Sequence, residues 1–403
     1  MDTPSKIVQG VYDIIVTPDL LITDYIAVGG LGASFVNSGL LMLLSTLLLY
    51  CMKVNINGIS IAALFLMSGF ALFGKNLLNV WFIIFGVYIY AKFQKDKFSK
   101  YIYIAFFATS MSPMISDMMF ASNQPFWVRF LLSIVIGIII GFLVPPLSAH
   151  LVKFHQGFNL YNIGFTTGMV GTIFVSLLKS YGYETKSNLI WSTGNNVILG
   201  IFLVVIFLSI IITGIILSMK IETQGISTKE AWKLTVDRVR KIWTYSGRLV
   251  SDFTIMEGFG PTLINMGLNG FIGMAYVLLV GGDLNGPTIG GILAMVGFGA
   301  FGKHMKNMIP IFLGVIIGSL TNVWDIHSPS ILLVALFGTS LAPISGQFGW
   351  KYGIIAGFIN SSVALSVSAL HGALNLYNTG FSAGIVAAVL VPIIEAFRKD
   401  DID

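Results

Sequence analysis

Charge is what this chain has least of. Asp, Glu, Lys and Arg make up 10% of its 403 residues and hydrophobic residues 55%, whereas soluble domains carry about 25% charge. So little polar surface cannot cover a soluble core of this size. Cysteine is nearly absent: Cys51 stands alone, which rules out an intrachain disulfide or a cysteine metal cluster. It reads as a small packing residue in an apolar run. Carboxylates are scarce inside the apolar runs, with Asp117 and Glu257 at their ends. That argues against coupling through a buried carboxylate. It leaves sodium or a proton open as coupling ion, since carbonyls and hydroxyls at broken helices also bind sodium. Walker A, His-rich metal, Gly-x-Ser-x-Gly and basic-aromatic nucleic-acid patterns are missing too, so no cofactor, metal or nucleic-acid partner is expected. Residues 1–28 carry Asp2, Asp13, Asp19 and Asp24 against Lys6 and lack an apolar h-region. They read as an interfacial or short packing helix rather than a cleaved signal.

What is present is apolar length. The mean hydropathy is +0.86, and stretches long enough to cross a bilayer, roughly 17–25 residues, recur throughout. The fold class expected is an all-α polytopic integral membrane protein in a lipid bilayer. Its hydrophobic elements fall at 29–51, 57–74, 76–93, 101–118, 127–151, 157–178, 195–219, 257–281, 285–302, 305–322, 329–347, 350–369 and 371–396, thirteen in all. Some are short or interrupted by Gly and Pro, as re-entrant segments are. The 44 glycines suit close helix packing.

The strongest pattern is a duplication. At an offset of 228, residues 57–90 match 285–318 at 14 of 34 positions without a gap; composition alone gives roughly 3 or 4. Phe73-Gly74-Lys75 falls on Phe301-Gly302-Lys303, and Asn37 on Asn265. With small shifts, Thr109-Ser110-Met111-Ser112-Pro113 pairs with Thr339-Ser340-Leu341-Ala342-Pro343. His155 and Asn159-Leu160-Tyr161-Asn162 then pair with His371 and Asn375-Leu376-Tyr377-Asn378. The repeats run from 29 to 178 and from 257 to 396. Between them, 179–256 holds an extra span at 195–219 and a connector, and 397–403 is a tail.

Basic residues orient this arrangement. Lys92, Lys95, Lys97 and Lys100, the connector at 220–254, and Arg398 with Lys399 are expected on the cytoplasmic side. With thirteen crossings all three fall there, and the acidic N-terminus falls outside. The loop at 322–328, equivalent to 92–100, has no Lys or Arg and falls outside as well. Equivalent loops of opposite character indicate an inverted repeat. The connector places Trp232, Val236, Val239, Ile242 and Trp243 at helical spacing among basic residues, the pattern of an amphipathic interfacial helix or of a partner-binding surface.

Inverted repeats place a site near the midplane, at broken elements of both halves. Asn159, Tyr161, Asn162, Asn375, Tyr377 and Asn378 supply donors and acceptors in an apolar setting, either lining a polar path or bonding helices together. Lys75 and Lys303 end identical Gly-Phe-x-x-Phe-Gly-Lys runs. In re-entrant elements they would face a central anion site; in full spans they would snorkel to the interfaces. His155 and His371 would gate, shuttle a proton or serve structure. Thr109, Ser110, Thr339 and Ser340 precede prolines that break helices, where hydroxyls satisfy freed carbonyls or an ion. Asn57-Gly58 and Asn285-Gly286 read as tight turns.

These duplicated blocks resemble an uncharacterised family of bacterial membrane proteins, which implies a bacterial plasma membrane. The two-half organisation is also architecturally similar to inverted-repeat facilitators such as the urea transporters. No Leu-Pro-x-x-Thr-x-Pro-Phe signature is present, so no urea-site residue carries over. The function expected is transport, by channel or carrier, of a small polar or anionic solute between the repeats. A homo-oligomer is compatible with that reading, since such facilitators often assemble. A membrane enzyme using His155, His371 and hydroxyls, or a scaffold acting through the connector, are the alternatives.

Overall fold

The computed structural model describes residues 3–121, 124–183, 189–222 and 226–399. Among them the regular structure is helical, in chain order: α1 (Pro4–Val16), α2 (Tyr25–Cys51), α3 (Gly58–Phe70), α4 (Trp81–Phe93), α5 (Ile102–Ala108), α6 (Ser112–Phe120), α7 (Phe126–Leu151), α8 (Asn162–Ser180) and α9 (Asn196–Leu217). Then follow α10 (Thr228–Ile242), α11 (Phe253–Met256), α12 (Phe259–Leu279), α13 (Gly286–Phe298), α14 (Met305–Thr321), α15 (Pro329–Gly338), α16 (Ala342–Phe348), α17 (Trp350–Val367) and α18 (Asn378–Lys399). Helix occupies part of every hydrophobic stretch marked in the sequence. Seven segments are long and apolar enough to cross a membrane: Tyr25–Cys51, Phe126–Leu151, Asn162–Ser180, Asn196–Lys220, Phe259–Leu279, Pro329–Phe348 and Asn378–Arg398. This is the make-up of a membrane protein. The N-terminal α1 lies along α2, with Ile14, Tyr25 and Ala33 forming a small cluster. The connector forms α10, which buries Ala231, Val239 and Ile242 and leaves Trp232 half exposed.

The short helices matter most for the site. α3 and α13 have 13 residues each, about 20 Å at 1.5 Å per residue, against about 30 Å of hydrocarbon. They pack side by side and antiparallel. Gly58 at the start of α3 lies against the carbonyl of Ala300, just past the end of α13; Gly286 at the start of α13 lies against the carbonyl of Leu72, just past the end of α3. A Cβ at either glycine would sit within 2.4 Å of that carbonyl oxygen, so only glycine permits the approach.

The Asn-Gly pairs are not tight turns. Asn57 and Asn285 cap α3 and α13, each side chain accepting from the backbone N–H three residues on, at 3.0 Å from Ser60 and 3.2 Å from Thr288. The reason is that a short buried helix leaves its first N–H groups without partners, and an Asn side chain satisfies one of them. A second cap comes from far away. The Gly58 N–H donates to Asp252 at 2.8 Å, and the Gly286 N–H donates to Asp24 at 3.1 Å. Asp24 and Asp252 are themselves 228 apart, so the matched bonding reaches back beyond residues 29 and 257. Both carboxylates are buried, where the sequence suggested few. Each therefore caps the short helix of the opposite half.

The other ends of α3 and α13 are held in parallel fashion. The Asn37 amide donates to the carbonyls of Ala71 at 2.7 Å and Lys75 at 2.8 Å. Asn265 donates to Gly299 at 2.8 Å and Lys303 at 2.9 Å. Gly74 and Gly302 turn the chain out of helix at φ +151° and +100°, delivering the lysine that follows into the interior. The Thr-Ser-x-x-Pro segments each interrupt a helix with one 3-10 turn, Thr109–Met111 between α5 and α6 and Thr339–Leu341 between α15 and α16.

Candidate functional site

Both lysines are fully buried, not snorkelling at interfaces. Lys303 donates from Nζ to the Tyr161 hydroxyl and to Thr339 Oγ1, each at 2.7 Å. It also stands 4.5 Å from the Tyr161 ring centre and 5.4 Å from that of Phe298. Lys75 stands 5.0 Å from the Phe70 ring and donates to the Phe106 carbonyl at 3.2 Å and to Met67 Sδ at 3.4 Å. Neither pairs with a carboxylate among the described residues. An ammonium held in so apolar a place is costly, about 2.5–3.5 kcal/mol on the permissive insertion scale. Hydrogen bonds and aromatic faces offset only part of the loss of water.

An aromatic cluster separates the two lysines. Tyr161 and Tyr377 face one another with ring centres 5.0 Å apart. Phe298 packs edge-on to Tyr161 at 4.8 Å, and Phe70 packs likewise on Tyr377 at 4.9 Å. Phe337 stacks on Phe70 at 5.4 Å, and Phe107 sits 6.1 Å from Phe298. These four phenylalanines were not singled out from sequence. The duplicated Gly-Phe-x-x-Phe-Gly-Lys run was the available signal for Phe70 and Phe298.

Of the residues marked in the sequence, Lys303, Tyr161, Thr339 and Tyr377 come together. Thr109 sits with Lys75, donating to the same Phe106 carbonyl at 2.6 Å. Ser110 bonds Thr167 at 3.1 Å, while the buried Ser340 hydroxyl has no hydrogen-bond partner among the described residues. The remaining polar residues brace the backbone. His155 Nε2 contacts Asn162 at 3.0 Å and His371 Nε2 contacts Asn378 at 2.9 Å; those amides donate onward to the carbonyls of Ser148 and Ala364. Asn159 and Asn375 each accept from the N–H two residues on, of Tyr161 and Tyr377. The loops carrying them tie the halves together, Leu160 N–H to the Ser340 carbonyl and Leu376 N–H to the Ser110 carbonyl, both at 3.0 Å.

A cavity of about 370 Å³ reaches this cluster. Tyr161, Tyr377 and Phe298 form its inner end. Its walls are largely apolar, from Ile59, Ile104, Phe107 and Phe301, and Asn162 contributes an amide.

The family described as "Protein of unknown function (DUF1576)" matches residues 3–180 and 232–396. No curated protein matches the chain, and no solved structure does, so the likeness to urea transporters gains no support.

Proposed function

The chain belongs to the DUF1576 family, whose description assigns no activity, and we propose from the geometry that it transports a small anionic solute. The reading rests on one observation. A cavity ends on Tyr161, whose hydroxyl accepts from the buried Lys303 Nζ, and among the described residues no carboxylate pairs with that amine. A solute anion meets the unmet demand, and the aromatic and aliphatic walls favour a small organic monoanion over a strongly hydrated inorganic one. We further propose that the site lies between two inverted repeats. The antiparallel α3 and α13, the exchanged caps of Asp24 and Asp252, and the opposite charge of equivalent loops support that arrangement. On the positive-inside rule, the basic segments at 92–100, 220–254 and 398–399 support a cytoplasmic C-terminus and an outside N-terminus, and the family resemblance supports a bacterial plasma membrane.

The test is flux in proteoliposomes. Acetate, benzoate, chloride and urea are followed with the native protein, with a Lys75→Ala, Lys303→Ala double variant, and with empty liposomes. Benzoate or acetate uptake above empty liposomes, lost in the double variant, is the expected result. Flux of urea alone, or anion flux unchanged by the double substitution, would overturn the anionic reading.

A further inference from the structure

The cavity that reaches Tyr161 has a counterpart on the opposite side of the aromatic cluster. That second cavity holds about 40 Å³, against about 370 Å³ for the first. Eleven of its twelve lining residues fall on lining residues of the large one when the repeats are superposed by sequence. Leu21 and Ile22 answer to Leu249 and Val250, Val334 to Ile104, Phe337 to Phe107, and Asn378 to Asn162. Two cavities built from equivalent residues thus differ about ninefold in volume. They also differ in depth: the large one reaches both Tyr161 and Tyr377 across the centre, and the small one touches neither.

The lysines differ in the same sense. Behind Tyr161, which lines the large cavity, Lys303 holds the hydroxyl of Tyr161 and that of Thr339. Lys75 is turned instead to the Met67 sulfur and the Phe106 carbonyl. A strap without a repeat counterpart sits on the shut side. The Ile190 carbonyl accepts from Asp24 N–H at 3.0 Å, the Ile190 N–H donates to the Ile22 carbonyl at 3.1 Å, and Ser192 N–H donates to Asp24 at 2.9 Å. It pins the segment that closes over the small cavity.

We infer that the two cavities are the two mouths of one anion passage, and that the protein is an alternating carrier rather than an open pore. This rests on the transport reading above. In the structure the mouth beside Leu249 and Val250 is open and the mouth beside Leu21 and Ile22 is shut. In the second state the equivalent residues exchange conformations. The Leu21–Ile22 mouth opens to the centre, Lys75 takes the Tyr377 and Thr109 hydroxyls, and the Leu249–Val250 mouth closes. Near-equivalent sequence on both sides is what makes two such states close in energy, and a solute that fits both biases neither.

The experiment is site-directed labelling in a Cys51→Ser background, with Ile104→Cys and Val334→Cys introduced singly. Membrane-impermeant maleimide is applied to one face of the membrane at a time, with and without benzoate. Ile104→Cys is expected to label quickly from the connector face. Val334→Cys is expected to label only from the opposite face, and more slowly by about 10- to 1,000-fold if the second state is a minor one. Benzoate slows both. Ser148→Cys and Ala364→Cys repeat the comparison at another equivalent pair, so that one misfolded variant does not decide it. Val334→Cys labelling from the connector face, or labelling from neither face, would overturn the exchange of states. Because benzoate flux is measured separately, flux without far-face labelling would sink the carrier and spare the transport reading; absence of flux would sink the transport reading itself.

Discussion

Lys75 and Lys303 follow the same seven-residue run, end equivalent short helices and are both fully buried, yet they keep different company. Lys303 holds two hydroxyls at 2.7 Å, one of them on Tyr161, which lines a cavity of about 370 Å³. Lys75 holds a carbonyl and a thioether, and the equivalent cavity is nearly closed. The runs share Gly-Phe, Phe and Gly-Lys but differ at Ala71-Leu72 against Gly299-Ala300 and at Asn76 against His304, and Phe106 answers to Leu336, so the difference comes from these substitutions together with what packs against each lysine. A shared motif can thus keep different hydrogen-bond partners in the two halves.

The sharpest way to break this comparison is to remove each lysine alone. Lys303→Met removes charge-assisted bonds worth about 1.5–3 kcal/mol, so benzoate flux is expected to fall about 10- to 100-fold. A carrier needs both halves in turn, so Lys75→Met is expected to lose flux to a similar degree. A variant with Lys75 gone and flux intact would instead mean a passage served by Lys303 alone.

The exchanged caps come next. Asp252→Ala leaves the buried Gly58 N–H without its acceptor, a cost of about 1–3 kcal/mol. Both carboxylates have further donors, but those of Asp252 are its own neighbours Thr254 and Ile255, whereas Asp24 also holds the distant Ser192 by its backbone N–H and hydroxyl; Asp24→Ala is therefore expected to cost more. Thermal unfolding of the two variants in detergent checks the order; equal midpoints would remove the strap from the account.

Smaller effects follow at the hydroxyls. Tyr161→Phe removes one of the two hydroxyl acceptors of Lys303 and leaves Thr339 in place, so it is expected to reduce flux less than loss of the lysine, about 2- to 10-fold. Tyr377→Phe leaves that contact in place and is expected to reduce flux less in assays that load solute from the open side. Smallest of all is the Ser110 and Ser340 pair. Ser110→Ala loses its bond to Thr167 and is expected to destabilise by about 1 kcal/mol, whereas Ser340→Ala removes a buried hydroxyl with no partner among the described residues and is expected to be neutral or slightly stabilising. A destabilised Ser340→Ala would point to a water or ion held there.

Much of the helix placement was legible because apolar runs and scarce charge are local properties. The 3-10 turns followed from Thr-Ser-x-x-Pro, where proline removes a donor. At the site, the duplication singled out Lys75, Lys303, Tyr161 and Thr339, since polar residues recurring in apolar surroundings stand out. The same criterion also selected His155, His371, Asn159 and Asn375, which brace backbone. Asn57-Gly58 and Asn285-Gly286 misled in the opposite direction: the pair fits a tight turn, and only the helix starting at the glycine, with an aspartate arriving from another part of the chain, makes it a cap.

The sequence by itself determined that the chain is apolar, helical and duplicated, because composition, periodicity and repetition need no knowledge of what touches what. Tertiary structure alone decided that Asp24 reaches Gly286 across 262 residues and Asp252 reaches Gly58 across 194. It alone decided that four phenylalanines and two tyrosines stack between the lysines, and that one of two equivalent cavities stands open. Those outcomes depend on long-range packing and on a strap at 190–192 that only one side possesses, and equivalent residues carry no mark of which side that will be.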